Sequence, residues 1–512
     1  MRSKHFLILL VLVLCLLSLS LAEQKTFNAW WGLYSQSMIG AVNNLEDNLI
    51  WQDYFKKTGI RIKFYHPPFG KEAENFNLAI ASGDLSDIFH VLYYNGTVPS
   101  YPGGWDKAIE DKAIIRLNEL LPKYAPNYYK MLKSNPDIYK TLLTPGGSIV
   151  CIAPIADVWK PWGGLYIRKD WLDEFKLPVP VTYNDWYRVL KTFKDKKGAV
   201  MQLLYVGFHM YDAFNAGYNA PYGFYQVNGT VKHGLLENGM REYLSMMNKW
   251  YKEGLIDKDF YAVRDYYPKE SAVISGKYGA FFSYNGFAYY ETLGKSKDPK
   301  FELIAVAPPV KKKGDKLHIG QRVRNMYVNL TGPAVFITTK CKEPETILKF
   351  FDYFYSPEGS IYWTYGIEGK TFVYENNKPK FTDLAASGGR TPYNWNCVLS
   401  GGFGYQKDRD AANPNMSKKE YEAGFVWGSN NDGAYGLPDS LPFTKEEQEK
   451  VSKIMTDVTT YAEENIPKFI TGAIPLSQYS KFISQLKKIG LEEVVKIYQN
   501  AYDRYQGIKV GD

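Results

Sequence analysis

The segment Gly164–Lys197, GLYIRKDWLDEFKLPVPVTYNDWYRVLKTFKDKK, contains the clearest alternation of secondary structure in the chain. Its first four residues are apolar or β-prone, which favours a short strand. Asp170 is a candidate N-cap for a first helix, and Pro178 and Pro180 prevent that helix from continuing. The segment therefore predicts a strand, a helix, a turn and a second helix.

The second helix of this segment is predicted from its cap and its apolar face. Thr182 followed by Asp185 resembles a capping box in which Asp replaces Glu. The apolar residues that follow share one face at spacings of three, four and seven; they are Trp186, Val189, Leu190 and Phe193. The whole segment indicates a packed α/β unit.

The first part of the chain alternates in the same way. Strands are predicted at Phe27–Trp31, Ile60–Tyr65 and Asp87–Tyr93, with helices at 48–57 and 74–82 between them. This order is typical of a doubly wound sheet, whose ligand crevice lies beyond the carboxyl ends of the strands.

The amino terminus has the pattern of a secretory signal peptide. Arg2 and Lys4 precede an apolar run, Phe6–Leu17, and small residues lead to a predicted cleavage after Ala22. The run is shorter than the ~20 apolar residues of a membrane span, so an anchor is the weaker interpretation. Lipidation at Cys15 is a third option. No later stretch is long and apolar enough to cross a bilayer, so we expect a soluble, extracytoplasmic mature protein.

The charge of the chain limits the classes of partner that it can bind, and the cysteine content limits the number of disulfides. Loss of the signal peptide leaves 60 basic and 54 acidic residues, a net charge of +6 that is spread over the chain. The only basic run, at 311–313, is interpreted as a solvated loop, and nucleic-acid binding is not expected. The mature chain keeps Cys151, Cys341 and Cys397, which allow one disulfide at most.

The mature length of about 490 residues suggests two or more domains. The aromatic share is 16%, and Tyr and Trp supply flat faces with a polar edge that suit sugar rings.

Six segments, in this order, resemble the family 1 extracellular solute-binding proteins of ABC importers, and among them the alginate- and aldouronate-type oligosaccharide binders. They are LAIASGDLSDIF (78–89), LNELLPKYAPNYYKML (117–132), YIRKDWLDEFKLPVP (166–180), KWYKEGLIDKDF (249–260), ETILKFFDYFYSPEGSIYWTYGIEGKTF (345–372) and QNAYDRY (499–505). The resemblance implies an α/β protein with the type II periplasmic-binding fold, in which two doubly wound lobes are joined by a hinge and close on a ligand in the cleft between them.

From the resemblance and the predicted strands, the chain is expected to pass twice through each lobe. The expected boundaries are 1–22 for the signal peptide, 23–155 for lobe 1, 156–301 for lobe 2, 302–375 for the return to lobe 1, and 376–512 for the remainder of lobe 2.

One departure from the alginate-type pattern concerns metal binding. Those relatives have an EF-hand-like calcium loop directly after the second helix of the opening segment, where this chain reads Lys194-Asp195-Lys196-Lys197-Gly198. This stretch is short and basic and lacks the oxygen ligands that calcium needs. We therefore expect no metal there, and no cofactor elsewhere.

Candidate ligand-binding residues lie at the ends of predicted strands or near crossings between lobes. Alternation along a strand leaves one of each neighbouring pair for the ligand. An Arg fork in the 322–325 stretch could bind a uronate carboxylate or form a hinge salt bridge. The candidates are Trp30, Trp31, Tyr93, Tyr94, Asn95, Trp159, Trp162, His209, Tyr284, Asn285, Arg322, Arg324, Tyr393 and Trp395, and Trp427 is a weaker one.

The function expected from these observations is binding without turnover. An oligosaccharide, possibly acidic, would be captured by lobe closure and delivered by a monomeric protein to the permease subunits of an ABC importer. A secreted polysaccharide-active enzyme and a peptide binder on the same fold are the alternatives. No H-E-x-x-H or C-x-x-C motif occurs, whereas a catalytic carboxylate pair is not excluded by sequence.

Overall fold

The computed structural model describes residues 25–33, 44–92, 101–203, 213–262, 268–328, 333–386, 403–408, 411 and 416–510. The chain forms two compact units: unit 1 comprises 1–157 and 328–415, and unit 2 comprises 158–327 and 416–512. Within the described ranges, no helix combines the length and the apolar composition needed to cross a bilayer.

The strands are numbered in chain order. Those of unit 1 are β1 (Lys25–Trp31), β2 (Ile60–Tyr65), β3 (Ile88–Leu92), β4 (Cys151–Ile152) and β5 (Ile155–Ala156), followed after the insertion of unit 2 by β13 (Pro333–Ile337), β14 (Phe372–Glu375), β15 (Lys378–Phe381) and β16 (Tyr405–Gln406). Those of unit 2 are β6 (Gly163–Arg168), β7 (Val200–Gln202), β8 (Phe224–Val227), β9 (Thr230–His233), β10 (Tyr278–Tyr284) and β11 (Leu303–Val306), and β12 (Tyr327–Val328) lies at the boundary.

The helices are numbered in the same way. Unit 1 contains α1 (Leu49–Thr58), α2 (Glu72–Ser82), α3 (Trp105–Glu110), α4 (Leu121–Tyr124), α5 (Pro126–Ser134), α6 (Pro136–Thr141), α12 (Pro344–Asp352), α13 (Pro357–Tyr365) and α14 (Asp383–Ala386). Unit 2 contains α7 (Lys169–Glu174), α8 (Tyr183–Lys197), α9 (Asn238–Lys252), α10 (Glu270–Ile274), α11 (Phe287–Lys295), α15 (Lys418–Gly428), α16 (Lys445–Thr471), α17 (Tyr479–Ile489) and α18 (Leu491–Gly507).

The main sheet of unit 1 has the strand order β2-β1-β3-β13-β4. The first three strands are parallel, as the predicted βαβαβ order requires, and β13 is antiparallel to both of its neighbours. Parallel neighbours need a crossover helix, and α1 and α2 provide these crossovers. The prediction of a wound α/β sheet is confirmed here, and the predicted bounds of β2 are the observed ones.

The main sheet of unit 2 has the order β11-β6-β10-β7 and is mixed. Strand β6 is antiparallel to both β10 and β11, whereas β10 is parallel to β7. The predicted apolar face of α8 is buried completely in the core of this unit. Helices α9, α16 and α17 contribute further large side chains to the same core.

Two predicted domain boundaries are wrong. The strand at 303–306 was expected to return to the first lobe, but β11 pairs with β6 and remains in unit 2, so the chain returns only at 328. The stretch after 375 was expected to leave lobe 1, but the β14–β15 hairpin packs on Tyr365 of α13, and β16 pairs with β5. Unit 1 therefore extends to 415. The expected first crossing, at 155/156, lies two residues from the observed 157/158.

The connection after α8 is short. The helix runs to Lys197, Gly198 ends it in the left-handed conformation with φ 68°, and β7 begins at Val200. Lys194 donates to the carbonyl of Glu253. Only Gly198 and Ala199 therefore lie between the helix and the strand.

Trp427 is part of the core of unit 2, so its interpretation as a ligand residue is wrong. Its side chain is 1% exposed, and its Nε1 donates to the carbonyl of Leu165 at 3.0 Å. The ring lies against Gly164, where an added Cβ would come within 2.4 Å of the ring atoms Cδ1 and Cγ. The glycine is therefore required by the close approach of α15 to β6.

We predict that Gly164→Ala destabilises the protein by about 1–3 kcal/mol, because the new methyl group would overlap the Trp427 ring. Chemical denaturation monitored by tryptophan fluorescence measures this change. Gly223→Ala is the matched control, since a Cβ at Gly223 meets nothing within 4 Å. Equal stability of the two variants would contradict the prediction.

The capping box of α8 is confirmed and makes stability depend on pH. The backbone N–H of Thr182 donates to Asp185 at 2.9 Å, and that of Asp185 donates to the Thr182 hydroxyl at 3.2 Å. The first of these hydrogen bonds, together with the Thr182 hydroxyl and Arg188, lowers the pKa of Asp185 from 3.8 to about 2. The ionised Asp185 carboxylate thus stabilises the folded state at pH values above the ordinary pKa of this group.

We predict that this contribution is lost as the pH falls from about 4 towards about 2. The melting temperature of Asp185→Asn should therefore vary less with pH over this interval than that of the wild type, and it should be lower at neutral pH. The control is Asp195→Asn, an exposed position on the same helix, which should retain the pH dependence of the wild type. An unchanged acid limb in Asp185→Asn would refute the role of this cap.

Candidate functional site

The first candidate group lies at one end of the β6–β10 pair in unit 2. Antiparallel pairing places Tyr284, the last residue of β10, opposite Gly163, the first residue of β6. The backbone N–H of Asn285 donates to the carbonyl of Trp162 at 2.8 Å. Trp162, Tyr284 and Asn285, which are distant in sequence, are therefore neighbours in the structure.

The Trp162 side chain is 70% exposed. A free indole face is apolar and electron-rich, and it can stack on the C–H face of a sugar ring. Among the exposed large hydrophobic side chains of the described residues, Trp162 is the one that lies between the unit boundary at 157/158 and β6, an inner strand of the unit 2 sheet.

Of the two polar atoms in the Asn285 side chain, one has a hydrogen-bond partner and the other has none among the described residues. Its Nδ2 donates to the carbonyl of Glu420 at 2.6 Å, which fixes the orientation of the amide. Its Oδ1 is buried and has no hydrogen-bond partner among the described residues. This oxygen is enclosed by the protein and is not open to solvent. Tyr284 is partly buried, and its carbonyl accepts from the Tyr166 hydroxyl at 3.0 Å.

The second candidate group surrounds Arg324, also in unit 2. Trp159 and Arg324 exchange two backbone hydrogen bonds of 2.9 Å in an isolated antiparallel bridge. The guanidinium carbon of Arg324 lies 5.5 Å from the Trp159 ring centre and 5.1 Å from that of Tyr327. Its Nη1 donates to Asp439 at 2.5 Å. These contacts order the arginine through cation–π and ionic interactions.

Arg322 is held by backbone groups. Its Nη1 donates to the carbonyls of Asp432 at 3.3 Å and Gly433 at 3.1 Å. Gly433 has φ 65°, and a Cβ there would lie 2.0 Å from Nη1, so a glycine is needed for this contact. Asp432 also pairs with His318 Nδ1 at 2.9 Å. The backbone N–H of Ala434, followed by His318, lowers the pKa of the Asp432 carboxyl.

In unit 1, the expectation that one of Trp30 and Trp31 stays outside the core is wrong. The two side chains are 2% and 1% exposed. Trp30 meets Phe76 of α2 edge to face, whereas Trp31 meets Trp51 of α1 in the same way. Strand β1 is central and is covered by helices on both faces, so alternation directs one ring into each layer and exposes neither.

Trp31 also stacks on His90, with ring centres 3.9 Å apart and planes 7° from parallel. Burial lowers the pKa of His90 well below its ordinary value, so the imidazole is neutral in the folded protein. The histidine is therefore a core side chain.

Six of the candidates lie outside the described residues: Tyr93, Tyr94, Asn95, His209, Tyr393 and Trp395. Their roles remain predictions. Sequence analysis missed Tyr327 and Asp439, which contact Arg324, because no spacing or motif relates position 439 to position 324. Among the described residues, no cluster of three or more His, Cys, Asp or Glu side chains could hold a metal ion.

Comparison with known proteins agrees with this architecture. The chain is 25% identical to the fructooligosaccharide ABC transporter substrate-binding protein FusA of Streptococcus pneumoniae. The match covers 90% of this chain and 88% of the relative. The calcium-free crystal structure of the alginate-binding protein AlgQ2 covers 94% of this chain and 98% of its own, with 25% identity and a TM-score of 0.62.

A third similar structure is a solute-binding protein from Bifidobacterium longum infantis, described as binding human milk oligosaccharides (HMO). It has a TM-score of 0.72 at 18% identity and covers 94% of this chain and 99% of its own, which supports the fold alone. Residues 43–361 match the family of bacterial extracellular solute-binding proteins. This match spans more than half of the chain, and the chain therefore belongs to the bacterial extracellular solute-binding protein family.

Proposed function

We propose that this protein captures an oligosaccharide outside the cytoplasm and delivers it unaltered to the permease of an ABC importer. The observation that carries the proposal is the exposed ring of Trp162 at the end of the β6–β10 pair. An exposed aromatic face can stack on a pyranose or furanose ring. FusA and AlgQ2, the relatives at 25% identity, are described as binding fructooligosaccharide and alginate.

The remaining parts of the proposal follow from the family. FusA is described as a substrate-binding protein of an ABC transporter and AlgQ2 as an alginate-binding protein, which supports binding without catalysis. The protein is exported with cleavage after Ala22, and it acts as a monomer whose partners are the saccharide and the permease rather than nucleic acid. Ligand binding is accompanied by lobe closure, the mode of action that the resemblance implies.

A panel of neutral and acidic oligosaccharides and short peptides, screened by thermal shift and confirmed by calorimetry, tests the proposal. We expect at least one oligosaccharide to raise the melting temperature, because a ligand that binds only the folded state stabilises it. Chromatography of the same mixtures after prolonged incubation should return the saccharide intact. A peptide as the only ligand, or shortened saccharide products, would overturn the proposal.

We predict that Trp162→Ala weakens saccharide binding about tenfold, equivalent to about 1.4 kcal/mol, because the stacking face is removed. The melting temperature without ligand should hardly change, since the ring is 70% exposed. Titration calorimetry measures the affinity. Tyr374→Ala, at an aromatic residue that is 48% exposed and outside both groups, is the control. An affinity of Trp162→Ala within twofold of the wild type would show that this ring does not contact the saccharide.

A further inference from the structure

We propose that the oligosaccharide is uncharged. This inference rests on the proposed function and names the substrate class of the same site. It follows from the partners that the structure gives to the two candidate arginines.

Both candidate arginines already have partners within unit 2. Arg324 donates to the Asp439 carboxylate at 2.5 Å, and Arg322 Nη1 donates to the backbone carbonyls of Asp432 and Gly433. An incoming uronate would meet Asp439 as a like charge, and it would have to displace Asp439 and the two carbonyls to form a bidentate pair.

Arg324 has little freedom to turn away from Asp439. Its side chain is 28% exposed and lies against Trp159 and Tyr327. Its backbone is tied to Trp159 by two hydrogen bonds. The orientation that satisfies Asp439 is therefore the one that the surrounding aromatic rings also favour.

The experiment compares a neutral trisaccharide such as kestose with tri-galacturonate by titration calorimetry of the mature protein. We expect the neutral ligand to bind at least tenfold more tightly. Its dissociation constant should change less than twofold between about 20 and about 200 mM salt, because no ionic contact to ligand is screened. A tighter, salt-sensitive uronate complex would overturn the inference and leave the proposed function intact. Absence of binding by every neutral and acidic oligosaccharide would overturn both.

Asp439→Asn tests the cause of the exclusion. Removal of the carboxylate leaves the Arg324 charge uncompensated, so the affinity for tri-galacturonate relative to kestose should rise about tenfold. Asp457→Asn, which removes an exposed carboxylate of α16, should leave this ratio at the wild-type value. Since Asp439→Asn could impair folding, the salt dependence of the wild-type protein is an independent readout. An unchanged ratio in a folded Asp439→Asn would overturn the assignment of the exclusion to this pair.

Discussion

The antiparallel pairing of β6 with β10 is the constraint on which the candidate site depends. It places Gly163 opposite Tyr284 and thereby brings Trp162 next to Asn285. The pairing is supported from one face by Trp427, which fills the space that the absent Cβ of Gly164 leaves. A site built on the ends of two packed strands is more precise than one built on loops, because the strands have no freedom to shift relative to each other.

The two candidate groups of unit 2 differ in whether their side chains already have partners within the protein. Arg324 is paired with a carboxylate and Arg322 with backbone carbonyls. At Trp162, by contrast, an aromatic face is open. Binding energy comes from groups that gain partners on binding, since groups that must first give up a partner gain little net. The contrast makes the open ring of Trp162 the centre of the proposed contact.

Local signals in the sequence predicted much of the fold. The capping box at Thr182 and Asp185, the apolar face of α8 and the parallel order of the first three strands are all observed, because each depends on neighbours within a few residues or on the short βαβ connection. The domain boundaries after 300 were not predictable in this way. Whether β11 pairs with β6 or with a strand of the other unit is decided by contacts across more than a hundred residues.

Burial was the least predictable property. Trp30 and Trp31 occupy a strand end, where the sequence offers no means to tell a ligand-facing ring from a core ring; helices α1 and α2 cover both. The burial of Trp427 was unpredictable for the same reason, because only the approach of α15 to Gly164 places its ring in the core.

The sequence by itself determined the α/β class, the family to which the chain belongs and the short connection after α8. These are encoded in local composition and in the order of motifs. The tertiary structure alone decided which aromatic rings are exposed and which groups are the partners of the arginines. Those properties arise from pairs such as Arg324 with Asp439 and Asn285 with Glu420, whose members are more than a hundred residues apart and carry no mutual signal in a single sequence.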